Sequence, residues 1–418
     1  MTLIANPHFL TLPPEIREHI YRLILNPAAN RLFEADEYTD YNYKSALQLL
    51  RVNTQIYHES RKIFRDLNVF VRVETPWPEA QDHVAFEGHT PILMKKERAA
   101  RFKDHSLSVI IDAPQSPIQD AEREYFVILL DDLPKFTKTW FYADLSHPGL
   151  NHFLRLTLRL RDPYSPSWEE PHLPKWLQRQ LIMPFGMVKN LREVTLTSSP
   201  IKPFSAIDRD LRADQAIPYE SAEACLRSAL RWKQEGTTSL TAGRCHEALS
   251  HFSSAWEAIH VIVAGRTRHI HADAFFGHQL REAPFVGKNG QSERLMIRVQ
   301  LVSLTVKTYL ALENWSEAAF WGMRSINMLR EAMGVEDENA VIEPRDEAVL
   351  GFPAADSMGQ VYLGTATAYR ELGDWARARR LLNVAAVYLP EKEEVRREVQ
   401  RVTVGDGTPN DVDLHMDG

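Results

Sequence analysis

Residues 9–25 read FLTLPPEIREHIYRLIL, and residues 45–70 read SALQLLRVNTQIYHESRKIFRDLNVF. In the first stretch Leu12, Ile16, Ile20, Leu23 and Ile24 recur at helical spacing. Pro13 and Pro14 suit a first helical turn, where amide hydrogens have no partner to lose, and Glu15 complements the positive end of the helix dipole. In the second, Leu49, Val52, Ile56, Ile63 and Leu67 fall on one stripe, with Arg51, His58, Arg61, Lys62 and Arg65 mostly off it. Two or three short amphipathic helices bury too little surface to stand alone. Part of their apolar surface is therefore left for a neighbouring domain or a partner.

The two stretches together resemble the F-box-like domain found at the start of many filamentous-fungal proteins. The likeness rests on the leading Leu-Pro-Pro-Glu-Ile and on the Leu-Leu-Arg-Val run. It implies a helical unit that docks on the Skp-type adaptor of a cullin–RING ubiquitin ligase while the rest of the chain holds a target protein. On that reading Leu12, Pro13, Ile16, Ile20 and Leu23 face the adaptor. The alternative is an F-box-like fold kept as a packing unit, with the chain acting as a scaffold outside any ligase.

Composition limits the other possibilities. The chain has 418 residues, 49 basic and 56 acidic, for a net charge of −7. Its length suits two or three domains, and a mildly acidic chain lacks the basic footprint of a nucleic-acid binder. No apolar run reaches membrane-spanning length, and the N-terminus lacks the basic start and long apolar core of a secretory signal. Cys225 and Cys245 form no metal-type pair, which suits a reducing compartment, cytosol or nucleus. No GxSxG, phosphate-binding glycine loop or HExxH is present, so neither an enzyme nor a cofactor is expected.

Between Asn68 and Ile201 strand and helix patterns mix. NVFVRVE and Ser106–Ile111 read as strands, and EYFVILL (124–130) as a third strand or a buried helix. The strand FLRLTLRLR turns Leu154, Leu156, Leu158 and Leu160 one way and Arg155, Thr157, Arg159 and Arg161 the other. That basic face either binds an anionic partner or is solvated or paired with carboxylates on an adjacent strand. KWLQRQLIMPFGMV reads as a helix and LREVTLTS as a strand. Lys202–Pro218 reads as a polar hinge.

Beyond the hinge three segments align: 232–259, 298–326 and 360–390. The first carries Trp232, Gly236, Ala248, Phe252 and Ala255, and the second Tyr309, Trp315 and Ala318. In the third stand Tyr362, Tyr369, Ala378, Ala385 and Pro390. The segments resemble tetratricopeptide repeats, in which small residues let paired helices approach, large ones fill the gap beside them, and the stacked pairs form a binding groove. Some such domains clamp the C-terminal carboxylate of chaperones. Lys233 matches that clamp, but Thr237, Leu304, Gln360 and Gly364 replace its remaining Asn and cationic positions, which argues against a chaperone tail.

Inserts at 264–292 and 334–356 separate the repeats, each read as one extra helix or a loop over the groove. His269, His271, Asp273 and His278 in the first could suggest a metal site, but no cysteine pair supports one, and a solvated or hydrogen-bonded cluster is the reading adopted. The expected architecture is α+β and multidomain. It comprises a small helical F-box-like unit (1–73), a mixed α/β middle domain (74–201), a linker (202–218), all-α tetratricopeptide-like repeats with inserts (219–402) and a disordered acidic tail (403–418).

Overall fold

A computed structural model describes residues 9–32, 40–115, 123–166, 168–335, 337, 340 and 342–405, with side chains to Val402. The architecture is mixed α+β, with a central sheet and helices toward the C-terminus. The chain divides into two compact units. Unit 1 holds Met1–Tyr219 with Ala264–Phe275, and unit 2 holds Glu220–Val263 with Phe276–Gly418.

Unit 1 begins with α1 (Pro14–Leu25), β1 (Arg31–Leu32) and β2 (Asp40–Tyr41), then α2 (Thr54–Leu67), β3 (Phe70–Thr75) and the single turn α3 (Ala80–Asp82). Next come β4 (Met94–Lys95), α4 (Lys96–Arg101), β5 (Leu107–Asp112), β6 (Glu124–Leu129) and α5 (Leu133–Ser146). It continues with β7 (Arg155–Leu160), α6 (Lys175–Ile182), β8 (Glu193–Leu196) and α7 (Ser205–Ala216). Six strands form one sheet in the order β4-β6-β3-β5-β7-β8. β3 runs parallel to β5, and β7 to β8; the other pairings are antiparallel. The EYFVILL stretch is therefore a strand, β6, held between β3 and β4.

One face of the sheet carries the main core. Val71, Val73, Val109, Leu156, Leu158 and Leu160 pack there against Phe136 and Trp140 of α5 and Leu177 and Leu181 of α6. The same core takes Ile207 and Leu211 of α7, both fully buried. The polar hinge expected at 202–218 is thus corrected: most of it is a helix whose two apolar side chains, one turn apart, close the core. On the opposite face Phe70, Val127 and Leu129 meet Ala99 and Phe102 beside α4 and Phe64 of α2.

Three further expectations shift. The stripe from Leu49 to Leu67 is interrupted: Ala46–Arg51 is a 3-10 turn, Val52 is exposed, and α2 starts after Asn53, whose side chain accepts from Ile56 N. The helix expected over 175–188 stops at Ile182, and Met183–Met187, with Pro184 at its start, tightens to a 3-10 turn. The expected boundary at 73/74 does not coincide with the division into compact units: both sides of it fall in unit 1, where α1, α2 and the 3-10 turn share an apolar cluster of their own.

Unit 2 is built from helical hairpins. Its elements are α8 (Ala222–Thr241), α9 (Cys245–Ala258) and β9 (Val261–Ala264), which starts the excursion into unit 1. That excursion carries β10 (Thr267–Ile270) and leads into the short α10 (Asp273–Phe276). The chain returns with α11 (Gly290–Ala311), α12 (Trp315–Ala332), α13 (Pro344–Glu347), α14 (Ala355–Glu371), α15 (Trp375–Tyr388) and α16 (Glu393–Gly405). α16 takes in Thr403–Gly405, the first residues of the expected tail; the rest of that tail lies outside the described residues.

Three inter-helix turns share one construction. The residue at left-handed φ is Gly243 (+76°), Glu313 (+56°) and Gly373 (+84°). The following amide donates in each case to a carbonyl five residues back: Arg244 to Ser239, Asn314 to Tyr309 and Asp374 to Tyr369, all at 2.9 Å. Only the middle turn places a side chain in that conformation. Glu313→Gly is expected to stabilise unit 2 by about 0.5–1 kcal/mol, the relieved strain less the added unfolded-state entropy, read from denaturant unfolding.

Candidate interaction surfaces

α1 turns one arginine inward beside Tyr21 and Leu25 and leaves several apolar side chains outward. Arg17, Tyr21 and Leu25 are buried, whereas Ile16 is 50% exposed, Leu23 59% and Ile24 37%. Pro13 is exposed; Leu12 and Ile20 are half-buried. A carboxylate on α2 explains this orientation. Glu59 accepts from Arg17 Nε (3.0 Å) and Nη2 (2.6 Å), from Tyr21 Oη (3.0 Å) and from Gln55 Nε2 (2.9 Å). Arg17 Nη1 also donates to the carbonyls of Leu10 and Leu12, which ties down the turn before the helix. The Arg17 hydrogen bonds, with those of Gln55 and Tyr21, hold the Glu59 carboxyl down at about 2. Val52 (59%), at the end of the 3-10 turn that contacts α1, is also exposed.

In unit 2 Ala248, Ala255, Ala318, Ala378 and Ala385 are buried without residual exposure. Large residues close the spaces beside them: Phe252 and Tyr362 are buried, and Trp232, Tyr309, Trp315 and Tyr369 half-buried. Glycine sets the closest approaches. A Cβ on Gly236 would lie 2.4 Å from the Phe252 ring, and one on Gly322 would lie 1.8 Å from Thr365 Oγ1. Pro390 is exposed just past the end of α15.

The first helices of the second and third hairpins, α11 and α14, line a cleft of about 260 Å³ with α16. Its walls include Ser303, Lys307, Gln360, Thr367, Arg397 and Arg401. Gln360 and Gly364, where a carboxylate clamp would need cations, both line this cleft, and Gly364 gives van der Waals room to Val306. The 334–356 insert is packed rather than draped. Its Glu347 is buried, accepts from Tyr362 Oη (2.7 Å) and pairs with Arg330 (3.4 Å), while Val349 N donates to Tyr388 Oη (2.9 Å).

The 264–292 insert divides between the units. His269, His271 and Asp273 lie in unit 1, and His278 in unit 2. The His269 ring sits 4.9 Å from that of His89, and His271 stacks on Tyr142 at 4.7 Å. His83 Nδ1 lies 3.0 Å from Glu87 Oε2. Among the described residues, no group of three His, Cys, Asp or Glu side chains is placed to hold a metal ion. In unit 2 Cys225 Sγ lies 3.7 Å from His260 Nε2, but burial pushes the thiol up to about 12, so the pair supplies no thiolate nucleophile. Among the described residues, no helix is long and apolar enough to cross a membrane.

Comparisons with protein-family models, with curated proteins and with solved structures gave no match to this chain. The surfaces above therefore stand on their own geometry. Sequence spacing pointed to the outward face of α1. It missed the inward-facing Arg17–Glu59 pair, because an ion pair across two helices leaves no periodic signal.

Two pH effects follow. Burial, reinforced by His269 and Lys135, lowers His89 from the ordinary 6.5 to about 4. Between those values the unfolded chain binds the proton and the folded chain does not, so unit 1 loses stability as pH falls from 6.5 toward 4. His89→Gln is expected to flatten that part of the stability–pH curve, measured by thermal melts across the range. The Glu59 contribution is fully present above the ordinary value of 4.5 and is lost as pH falls toward 2. Glu59→Ala is expected to lower the unit 1 melting temperature at pH 7 and to leave that of the mutant insensitive to this acidic window at this site.

Proposed function

We propose that the chain is a non-catalytic receptor subunit of a cullin–RING ubiquitin ligase. α1 and α2 form an F-box-like unit that docks on a Skp-type adaptor through Leu12, Pro13, Ile16, Ile20 and Leu23. The hairpins α8–α9, α11–α12 and α14–α15 act as tetratricopeptide-like repeats that hold a target protein. Ubiquitin transfer itself belongs to other subunits.

The observation that carries this reading is the outward apolar group of α1, Ile16, Leu23 and Ile24. Burying a Leu or Ile side chain is worth about 1.5–3 kcal/mol. A helix that leaves Ile16, Leu23 and Ile24 outside while enclosing an arginine has an apolar face available to a partner. The glycine- and alanine-mediated hairpin packing of unit 2 and its α11–α14–α16 cleft support the second half of the proposal. The scaffold alternative draws on a different fact: α1 and α2 belong to the same compact unit as the sheet. It keeps the hairpins as the working surface and assigns the helices to packing alone.

Capture of purified Skp-type adaptor by the full-length chain separates the two. The ligase reading expects capture by the wild type and its loss in Ile16→Asp/Leu23→Asp, with circular dichroism and melting temperature unchanged because both positions are exposed. A folded wild type that captures no adaptor refutes docking and leaves the scaffold reading.

A further inference from the structure

The alternating strand β7 offers arginines whose surroundings differ sharply. Arg155 is paired with Glu193 on β8 at 3.5 Å, the bland outcome for such a face. Arg159 and Arg161 are not treated in this way. The register places Arg72 of β3 opposite Ser108 of β5, and Ser108 opposite Arg159 of β7. Residues opposite one another on adjacent strands project from the same face. Val71, Val73, Val109, Leu158 and Leu160 are committed to the core on the other side, so Arg72, Ser108 and Arg159 form a row on the face away from that core. Arg161 follows two residues later on the same face.

Arg72 and Arg159 stand two strands apart across Ser108, and burial, with Arg161 and Arg159 acting as like charges, lowers the pKa of Arg72. Among the described residues, none of Arg72, Arg159 and Arg161 forms an ion pair with a carboxylate. Two of the nearby acids are engaged elsewhere. Glu74 and Asp112 are both held by Arg123, at 3.0 and 2.7 Å. Asp162 accepts from the Tyr164 amide (3.1 Å), and Asp104 is exposed. Arg72 donates to the Ala100 carbonyl (3.1 Å), which fixes its side chain but not its charge.

Arg161 Nη1 is 3.0 Å from His105 Nε2, and His105 Nδ1 is 3.0 Å from the Phe102 carbonyl. A carbonyl can only accept and a guanidinium can only donate. His105 is therefore the neutral Nδ1–H tautomer and orients Arg161 without adding or cancelling charge. Burial, with Arg72 and Arg161 nearby, keeps it neutral by holding it down at about 3.

We propose that Arg72, Arg159 and Arg161 bind a phosphoryl dianion on this face of the sheet. Planar guanidinium forks match the edges of a tetrahedral oxyanion, and a dianion offsets more of the cluster than a carboxylate would. The net charge of −7 argues for one phosphoryl group rather than a long polyanion.

The test is calorimetric titration of the full-length chain with inorganic phosphate, O-phosphoserine and serine at constant ionic strength. Saturable uptake of the two phosphates and none of serine is expected, with affinity reduced about tenfold or more in Arg159→Ala and Arg159→Glu. Arg155→Gln, on the paired arginine, is expected to bind as the wild type does. Tighter binding of phosphoserine than of phosphate assigns the group to a side chain of a partner; equal binding assigns it to a free anion. Absence of saturable uptake, or equal affinity in the wild type and both Arg159 variants, overturns the proposal. Adaptor capture does not enter this test, since Arg159 is remote in sequence from α1 and a separate readout is used.

Discussion

The Arg17–Glu59 pair decides how the N-terminal helices present themselves. Glu59 gathers donors from Arg17, Tyr21 and Gln55, and Arg17 spends its remaining nitrogen on the carbonyls of Leu10 and Leu12. Rolling α1 to bury Ile16 and Leu23 would leave Glu59 under aliphatic side chains with Gln55 as its remaining donor, and a carboxylate covered without its arginine is costly. The Arg17–Glu59 contact therefore goes inward beside Tyr21 and Leu25, and Ile16, Leu23 and Ile24 are left outward. This single arrangement gives α1 its available face and ties the preceding turn to α2.

How much of this was legible beforehand differs from element to element. β7 was readable because leucine and arginine alternate without interruption, and its leucines are indeed buried while Arg155 and Arg159 are exposed. β6 was ambiguous because a continuous apolar run has no period; pairing on both sides with β3 and β4 makes it a strand. α7 reads as a hinge in the sequence because SAIDRDLRADQA is mostly polar. Its two core residues, Ile207 and Leu211, recur only once, too few for a stripe to stand out. The charge state of the arginine row was equally hidden, because whether Arg159 finds a carboxylate depends on strand order rather than on its own neighbours in sequence.

The hairpins of unit 2 were the most legible part, since steric rules there are local and repeat. Gly236 against Phe252 and Gly322 against Thr365 are contacts that no larger residue could make without moving the helices apart. The inserts obey no such repeat, which is why the packed role of Glu347 came only from its buried bonds to Tyr362 and Arg330.

The excursion of residues 264–275 into unit 1 has a bearing on the order of assembly. A ribosome delivers the chain from its N-terminus, so the sheet, α1 and α2 all emerge before the last piece of their own unit does. That piece arrives only after α8 and α9 have been made. Until it does, Tyr142 and His89 lack the ring contacts that His271 and His269 make with them. The two units are covalently interleaved, and neither could have been acquired, or lost, as a single contiguous cassette.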